Sequence, residues 1–555
     1  MGASDFLTIL TIGVAVWTVI PKKEKRFYLL FFTKIEVAVM IFGMFFLHCL
    51  LGFDWIEDNW LPSLDFFRIP GGLPANKWAY LIALILIVYP FLKVFYGYFP
   101  KSNKDELIEY YQFLLNEKEF DLLIECIQDY HLEYIYSYLK GYSKIREKSN
   151  MDIVLKRSTA SDEEYSRLIY NKKVGIGALV YNQILKKGSL IRDTSSKYPI
   201  VFSKVISGME SRKVADKDFV YNYLEVLIKS LNPELIEELK RLDDSLDSIK
   251  ERLENIELPI MSALFTYKDS AIQNHPWMPV GEYVIKSLKY DKLQIDFLKR
   301  DHDDDLEEET WSYPIRSGVV FFDYMVRESI YNNWGYHMWM FYFRSFIPLL
   351  LDVSPKENYP EIGGETPKFS HFFIKDIFHR MFGWIELDIE LGEPSEDASG
   401  VDESSQHFPL SEHKNSESLG GTDPGGVDQV REFNINHTIR CLGQCFYSIF
   451  QASEDQIPRK LKLNLLERMV QFYCDYSLND TNPACLEAVR VLNQFFLNPK
   501  EVDSETLLIT PEYCSLLEDV WDSFDKDPFT FHGHNSVLEK FEQEVLIPLG
   551  IIENK

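Results

Sequence analysis

Basic residues are in short supply in this chain: 58 Lys and Arg stand against 85 Asp and Glu, a formal net charge of −27. A field of that sign repels phosphate backbones, and nucleic-acid binders need a basic stripe that releases counterions, so direct nucleic-acid binding is not expected. Cysteine is thin as well. The seven present (Cys49, Cys126, Cys441, Cys445, Cys474, Cys485, Cys514) are an odd number with no CxxC spacing, which argues against a disulfide framework and for reduced thiols in a cytosol-facing domain. Strand signals are also scarce, because Val and Ile recur mostly at helical spacing and no two alternating runs are joined by an Asn-Gly or Asp-Gly turn. Finally, there is no GxxxxGK[ST], GxSxG, HExxH or kinase signature; Gly175-Ile-Gly-Ala-Leu-Val180 has two glycines but lacks the third of a dinucleotide loop. No cofactor is expected from such a sequence, although sites assembled from distant residues leave no local trace.

What the chain has in quantity is apolar surface. Hydrophobic residues make up 46% of its 555 positions and aromatics 15%, with 40 Phe and 31 Tyr, so most of it must fold and bury surface. The first hundred residues carry eight Lys/Arg against seven acids, so the acidic excess lies beyond them.

Three runs in that first hundred read as membrane-spanning helices, at about 6–20, 35–53 and 78–99. The first, FLTILTIGVAVWTVI, is followed rather than preceded by positive charge, and Pro21-Lys22 is no signal-cleavage site, so an uncleaved anchor is expected. In the second, Lys34 and Glu36 precede the charge-free stretch Val37–Phe53; an interfacial turn leading into a helix that starts near Ile35 is expected, in preference to a tilted helix from Phe27 whose Lys34 snorkels to the headgroups. The third has Trp78, Tyr80, Tyr96 and Tyr98 at its two interfaces and Pro90 as a bend. Lys22, Lys23, Lys25 and Arg26 precede the second run, and Lys93, Lys101 and Lys104 close the third, whereas the loop between holds only Arg68 and Lys77. The positive-inside tendency therefore places PKKEKRF on the cytosolic face, the N-terminus outside and everything after Pro100 inside, as in a multi-pass bacterial inner-membrane protein.

From 101 the pattern is helical. Leu107, Tyr110, Tyr111, Leu114 and Leu115, a turn near Lys118, then Leu122, Leu123, Cys126 and Ile127 predict a helical hairpin. Further helices are expected at about 161–187, 212–231, 281–300 and 317–351, without the constant period of a solenoid. Over 232–258, Leu235, Leu239, Leu242, Leu246, Ile249, Leu253 and Ile256 step by heptads between a start at Asn232-Pro233 and a stop at Pro259. That stripe fits either a coiled-coil partner or an intramolecular neighbour. Residues 393–428 hold nine acids and one Lys among many Ser, Gly and Pro, the composition of a disordered linker. Helical patterning resumes at Asn436. The domains are thus an anchor at 1–100, a helical domain at 101–392, the linker at 393–428 and a helical unit at 429–555.

The candidate chemistry is sparse. Asp301–Glu309 is rich in oxygen ligands but lacks the alternating spacing and Gly turn of a calcium loop, so it reads as a solvated loop. His437, Cys441 and Cys445 share a helix face and could edge a zinc site, as could His532 and His534, although core packing and a turn account for the same residues. Tyr331–Leu351, with Trp334, Trp339 and Phe346, fits a buried aromatic helix, with membrane contact as the alternative. The expectation is an all-α protein whose three membrane helices hold a cytosolic scaffold or sensor that engages a protein partner and, through the heptads, a second copy of itself. The alternatives are a membrane-perturbing effector that oligomerises and a metal-dependent enzyme.

Overall fold

The computed structural model of the chain describes Thr11, Ala15 and residues 18–52, 75–96, 99–142, 172–211, 214–244, 258–265, 268–331, 340–354, 368–391, 425–477, 482–497, 511–526 and 535–552. These residues are almost entirely helical, and among them the one β feature is an isolated bridge between Asp301 and Lys368. They fall into two compact units, Met1–Ala215 and Asp216–Lys555.

The first unit opens with α1 (Lys22–Leu29), α2 (Lys34–Leu51) and α3 (Ala75–Phe95). α2 starts at a full capping box: the Thr33 hydroxyl accepts from the Glu36 backbone N–H, and the Glu36 carboxylate takes the Thr33 N–H. The helix therefore begins at Lys34, one residue before the expected start near Ile35, after a turn over Leu30–Phe32 that separates it from α1. Pro90 lies inside α3 as expected. Of the expected first span at 6–20, only Thr11, Ala15 and residues 18–20 are described, so that element lies largely outside the described residues.

The predicted hairpin follows as α4 (Lys104–Asn116) and α5 (Phe120–Tyr130), turning at Lys118 with φ 60°. A helix over 132–142 (α6), α7 (Lys172–Val180), α8 (Gly188–Thr194) and α9 (Pro199–Glu210) complete the unit. Gly177 has a role here that its motif did not suggest. A Cβ at this position would sit 2.0 Å from the Tyr134 carbonyl oxygen, so the glycine permits α7 to cross the 132–142 backbone.

The second unit runs through α10 (Lys217–Lys229), α11 (Pro233–Asp244), α12 (Pro259–Phe265), α13 (Lys268–Asn274), α14 (Trp277–Tyr290) and α15 (Lys292–Leu298). A 3₁₀ segment (Asp304–Ser312), α16 (Pro314–Tyr331), α17 (Phe341–Val353) and α18 (Phe369–Glu390) follow, then α19 (Gly425–Gln451), α20 (Arg459–Ser477), α21 (Pro483–Leu497), α22 (Pro511–Lys526) and α23 (Asn535–Phe541). α18 is the axis, packing against α16, α17 and α19. Fifteen of its 22 residues are buried, too many for the one-sided stripe of a surface helix. α19 begins at Gly425, inside the stretch whose composition suggests a linker. Its first turns carry few apolar residues before Ile435, which is fully buried, so periodicity detects the helix late.

Of the aromatic stretch, Tyr331 ends α16 and Phe341–Leu351 belong to α17, while 332–339, with Trp334 and Trp339, lie outside the described residues. Phe343, Phe346, Ile347 and Leu350 are fully buried, and Arg344 donates to the Gln444 side chain at 2.7 Å. Packing against α14, α18 and α19 places α17 in the protein interior rather than in lipid.

Candidate membrane junction

α2 and α3 are the two helices among the described residues that are long and apolar enough to cross a membrane, over Lys34–Leu51 and Lys77–Phe95. At about 1.5 Å per residue each reaches about 27–29 Å, close to the hydrocarbon thickness of a bilayer. They pack on each other through small residues. Ala79 and Ala83 are buried with Leu47, and a Cβ on Gly43 would lie 3.1 Å from Leu86, the close approach that drives helix pairing in lipid. Elsewhere the pair is bare: 6% of one window and 11% of the other is buried, with Ile35, Phe42, Phe45, Phe91 and Phe95 each more than 60% exposed.

Lys34 at the start of α2 and Phe95 at the end of α3 lie at the same end of the hairpin, and that end is built into the helical layer that follows. Between the two helices, the Glu36 carboxylate pairs with Lys93 and accepts a hydrogen bond from the Tyr89 hydroxyl at 2.5 Å. Each charge thus meets the other at the edge of the apolar zone rather than lipid. α1 is amphipathic and short. Its Phe27 is buried with Phe31, Phe99, Tyr110, Tyr111 and Tyr130 at ring-centroid distances of 5.2 to 6.4 Å. The Asn103 side-chain amide donates to the carbonyls of Leu30 and Phe32 at 2.9 and 2.8 Å, closing the turn between α1 and α2, and the Tyr110 hydroxyl donates to the Lys23 carbonyl.

The basic residues read as topology signals are therefore partly engaged within the protein. Lys23 pairs with Glu119, Arg26 lies over the Tyr110 and Phe113 rings at 5.8 and 5.5 Å, and Lys34 reaches Glu106 at 3.4 Å. Lys22, Lys25 and Lys101 are also at this junction, Lys25 with its ammonium on the Thr18 carbonyl and Lys101 opening the 3₁₀ turn that leads into α4. Beneath them His131 is fully buried among Phe99, Tyr111 and Tyr134, with no hydrogen-bond partner for either ring nitrogen among the described residues. Burial lowers its pKa to about 3, so the ring is neutral.

The other candidates fall elsewhere. His437 stacks on Phe433 and meets Phe341 edge-on, while the Cys441 thiol donates to the Met340 carbonyl at 3.4 Å and Cys445 is fully buried beside it. These side chains are occupied in packing, and no group of three or more His, Cys, Asp or Glu suited to a metal occurs among the described residues. His532 and His534 lie outside them. Of the heptad stripe, Leu235, Leu239 and Leu242 are buried, with α11 packed against α12 and α16; this half of the stripe is used intramolecularly. Leu246, Ile249, Leu253 and Ile256 lie outside the described residues. The acidic run is tied down by cations, with Asp301 on Lys368 at 2.8 Å, Glu308 on Lys240 and Glu309 on Arg300 at 3.1 Å.

One constellation in the second unit has no sequence signal. Arg316 and Arg380 both bond Asp243 and Asp376, Arg380 also reaches Asp323 at 2.8 Å, and Asp323 accepts from Arg327 at 2.9 Å and the Trp384 indole at 2.6 Å. Three arginines neutralise three aspartates drawn from α11, α16 and α18, and the cluster's long-range bonds join positions separated by 57 to 137 residues. Only tertiary folding assembles them. No protein-family model, no curated protein and no solved structure matches the chain.

Proposed function

We propose that this protein is a membrane-anchored helical scaffold or sensor, with three N-terminal crossings, its N-terminus outside and the rest of the chain, from Pro100 on, facing the cytosol. The supporting observation is the bare apolar skin of α2 and α3, which water would penalise at about 25 cal/mol per Å² and which hydrocarbon accepts without cost. The sealed Glu36–Lys93 pair and the docking of α1 against α4 and α5 favour an anchor mechanically joined to the helical layer, in place of a loosely tethered one. A joined anchor can transmit a change at the membrane to the helices beneath it, or the reverse, and the acidic second unit offers the surface for a protein partner.

A pair of reporter fusions tests the topology. A cytosol-active reporter inserted after Ser102 is expected to work while the same reporter placed within 54–74 does not, and the chain should stay in the pellet after alkaline carbonate extraction. Export of the Ser102 fusion, or release of the chain by carbonate, would overturn the reading.

A further inference from the structure

The corner between α14 (Trp277–Tyr290) and α15 (Lys292–Leu298) carries two large apolar side chains that nothing among the described residues covers. Tyr290 is 76% exposed and Leu293 75%, the two highest values for large hydrophobics among the described residues of the second unit. Single exposed apolar residues are ordinary on a soluble surface. Here, however, the two stand together on a corner of defined shape. The Asp291 carboxylate accepts from the backbone N–H of Leu293 at 3.0 Å and of Gln294 at 3.4 Å, and Ser287 bonds both Asp291 and the buried Gln294. Leu288, Phe297 and Leu298 anchor the inner side of the corner, so its outer side is held outward rather than left to collapse.

Around the pair stand Lys286, Lys289 and Lys292, all exposed and none with a carboxylate partner among the described residues. In a chain of net charge −27 the three lysines gather positive charge at one corner, whereas basic residues such as Lys240, Arg316 and Arg459 are each matched to a carboxylate. Across Lys286–Arg300 five cations face two acids, Asp291 and Asp296, and Asp291 is spent on the helix start. A tyrosine and a leucine at a rigid tip, ringed by free ammonium groups, match an interface with negative charge at its surface and hydrocarbon a few ångströms below.

We infer that the Tyr290–Leu293 corner is a second, peripheral membrane contact, inserting into the headgroup layer of an anionic bilayer. The contact rests on the membrane-anchored reading above. Lysines near such a surface shift the balance between docked and undocked states by about fivefold each, so the contact is reversible and composition-dependent, whereas the hairpin anchor is permanent.

The experiment uses the full chain in nanodiscs, with Cys49 and Cys514 replaced by Ser; the other described cysteines are buried. An environment-sensitive fluorophore is placed at L293C, and separately at I41C on the exposed face of α2. In phosphatidylcholine containing about one-third phosphatidylglycerol, the Leu293 label is expected to shift to the blue and be quenched by lipid-borne nitroxide, losing both effects in pure phosphatidylcholine and in about 0.5 M salt. The K286Q/K289Q/K292Q variant should lower the docked-to-undocked ratio about a hundredfold. A Leu293 label that stays aqueous in every lipid while the Ile41 label is quenched would overturn this contact and leave the anchor standing. A Leu293 label that is equally dry in lipid-free detergent would also overturn it, in favour of a protein occupant. Failure of the Ile41 label to be quenched would remove the anchor and this inference together.

Discussion

In Met1–Ala215 the charged side chains sit at the rim of an aromatic core, while in Asp216–Lys555 three arginines and three aspartates are enclosed where α11, α16 and α18 meet. Apart from the Glu36–Lys93 pair between α2 and α3, the rim pairs of the first unit are well hydrated: Lys23 and Glu119 are 40% and 42% exposed, Lys34 and Glu106 92% and 49%. Exposed pairs of this kind contribute about 0–1 kcal/mol. The second unit's charges are shut away, with Arg380 3% and Asp323 2% exposed. There the attraction must offset desolvation, and it does so because every carboxylate in the cluster meets more than one donor. The first unit thus depends on aromatic packing beneath its two long apolar helices, and the second on an ionic knot that fixes which helix meets which.

The sharpest way to break this contrast is to cut one strand of the knot. Arg380→Met leaves Asp243, Asp323 and Asp376 short of their shared cation and is expected to cost about 3–5 kcal/mol. Lys23→Ala in the first unit should cost less than about 1 kcal/mol. Denaturant unfolding of the detergent-solubilised chain, followed by hydrogen exchange in α18 and in α4, checks both; near-equal losses would erase the distinction.

Protons offer a second test, because the units carry buried titratable groups of opposite sign. His131 is neutral in the fold with its pKa lowered to about 3 by burial, against an ordinary 6.5. The unfolded chain therefore gains a proton that the fold refuses, and the first unit loses stability as pH falls from about 6.5 toward 3. Glu238, buried while accepting from the backbone N–H groups of Ile260 and Met261, is raised to about 7 by desolvation, with Arg241 and those N–H groups opposing. Asp388 is raised to about 7 by burial, with Arg431 opposing. These two hold protons that the unfolded chain releases above its ordinary carboxylate range, so the second unit loses stability as pH rises from about 4 to 7. Between pH 4.5 and 6.5 protection in α5 should therefore rise with pH while protection in α11 and α18 falls, each by on the order of 3 kcal/mol across its full range. His131→Phe and the pair Glu238→Gln and Asp388→Asn should flatten the respective slopes. Parallel slopes in the two units would refute the assignment.

The same contrast explains which features could be read from sequence. The α4–α5 hairpin, the apolar hairpin of α2 and α3 and the internal burial of the aromatic α17 follow from local periodicity, since each is a run of side chains answering one environment. The heptad stripe was legible as a stripe, yet nothing local distinguishes a partner chain from α12 and α16, which take up Leu235, Leu239 and Leu242. The ionic knot was invisible because Asp243, Asp323 and Asp376 each look like a solvated helix residue until three helices converge. The docking of PKKEKRF has no local signal for a related reason. The positive-inside tendency sets its lysines and arginine against lipid headgroups, whereas Glu119, Tyr110 and Phe113, distant in sequence, compete for them.

That competition leads to the smallest expected effect. Among the described residues Asn103 is the one polar side chain that ties the turn after α1 to the layer containing α4, through two hydrogen bonds to the carbonyls of Leu30 and Phe32. Asn103→Ala removes both donors and leaves two carbonyls short of a partner at a site where Asn103 itself is 7% exposed. The expected loss is about 1–3 kcal/mol, lessened to the extent that water reaches the vacated space. The location of the loss matters more than its size. If α1 is the mechanical link between anchor and helical layer, the variant should raise exchange in α1 and α4 together while α2 and α3 remain embedded and the second unit is unchanged. Exchange that rises in α1 alone would mean that α4 does not depend on the turn, and that the aromatic cluster around Phe27 and Phe31 carries the connection without it.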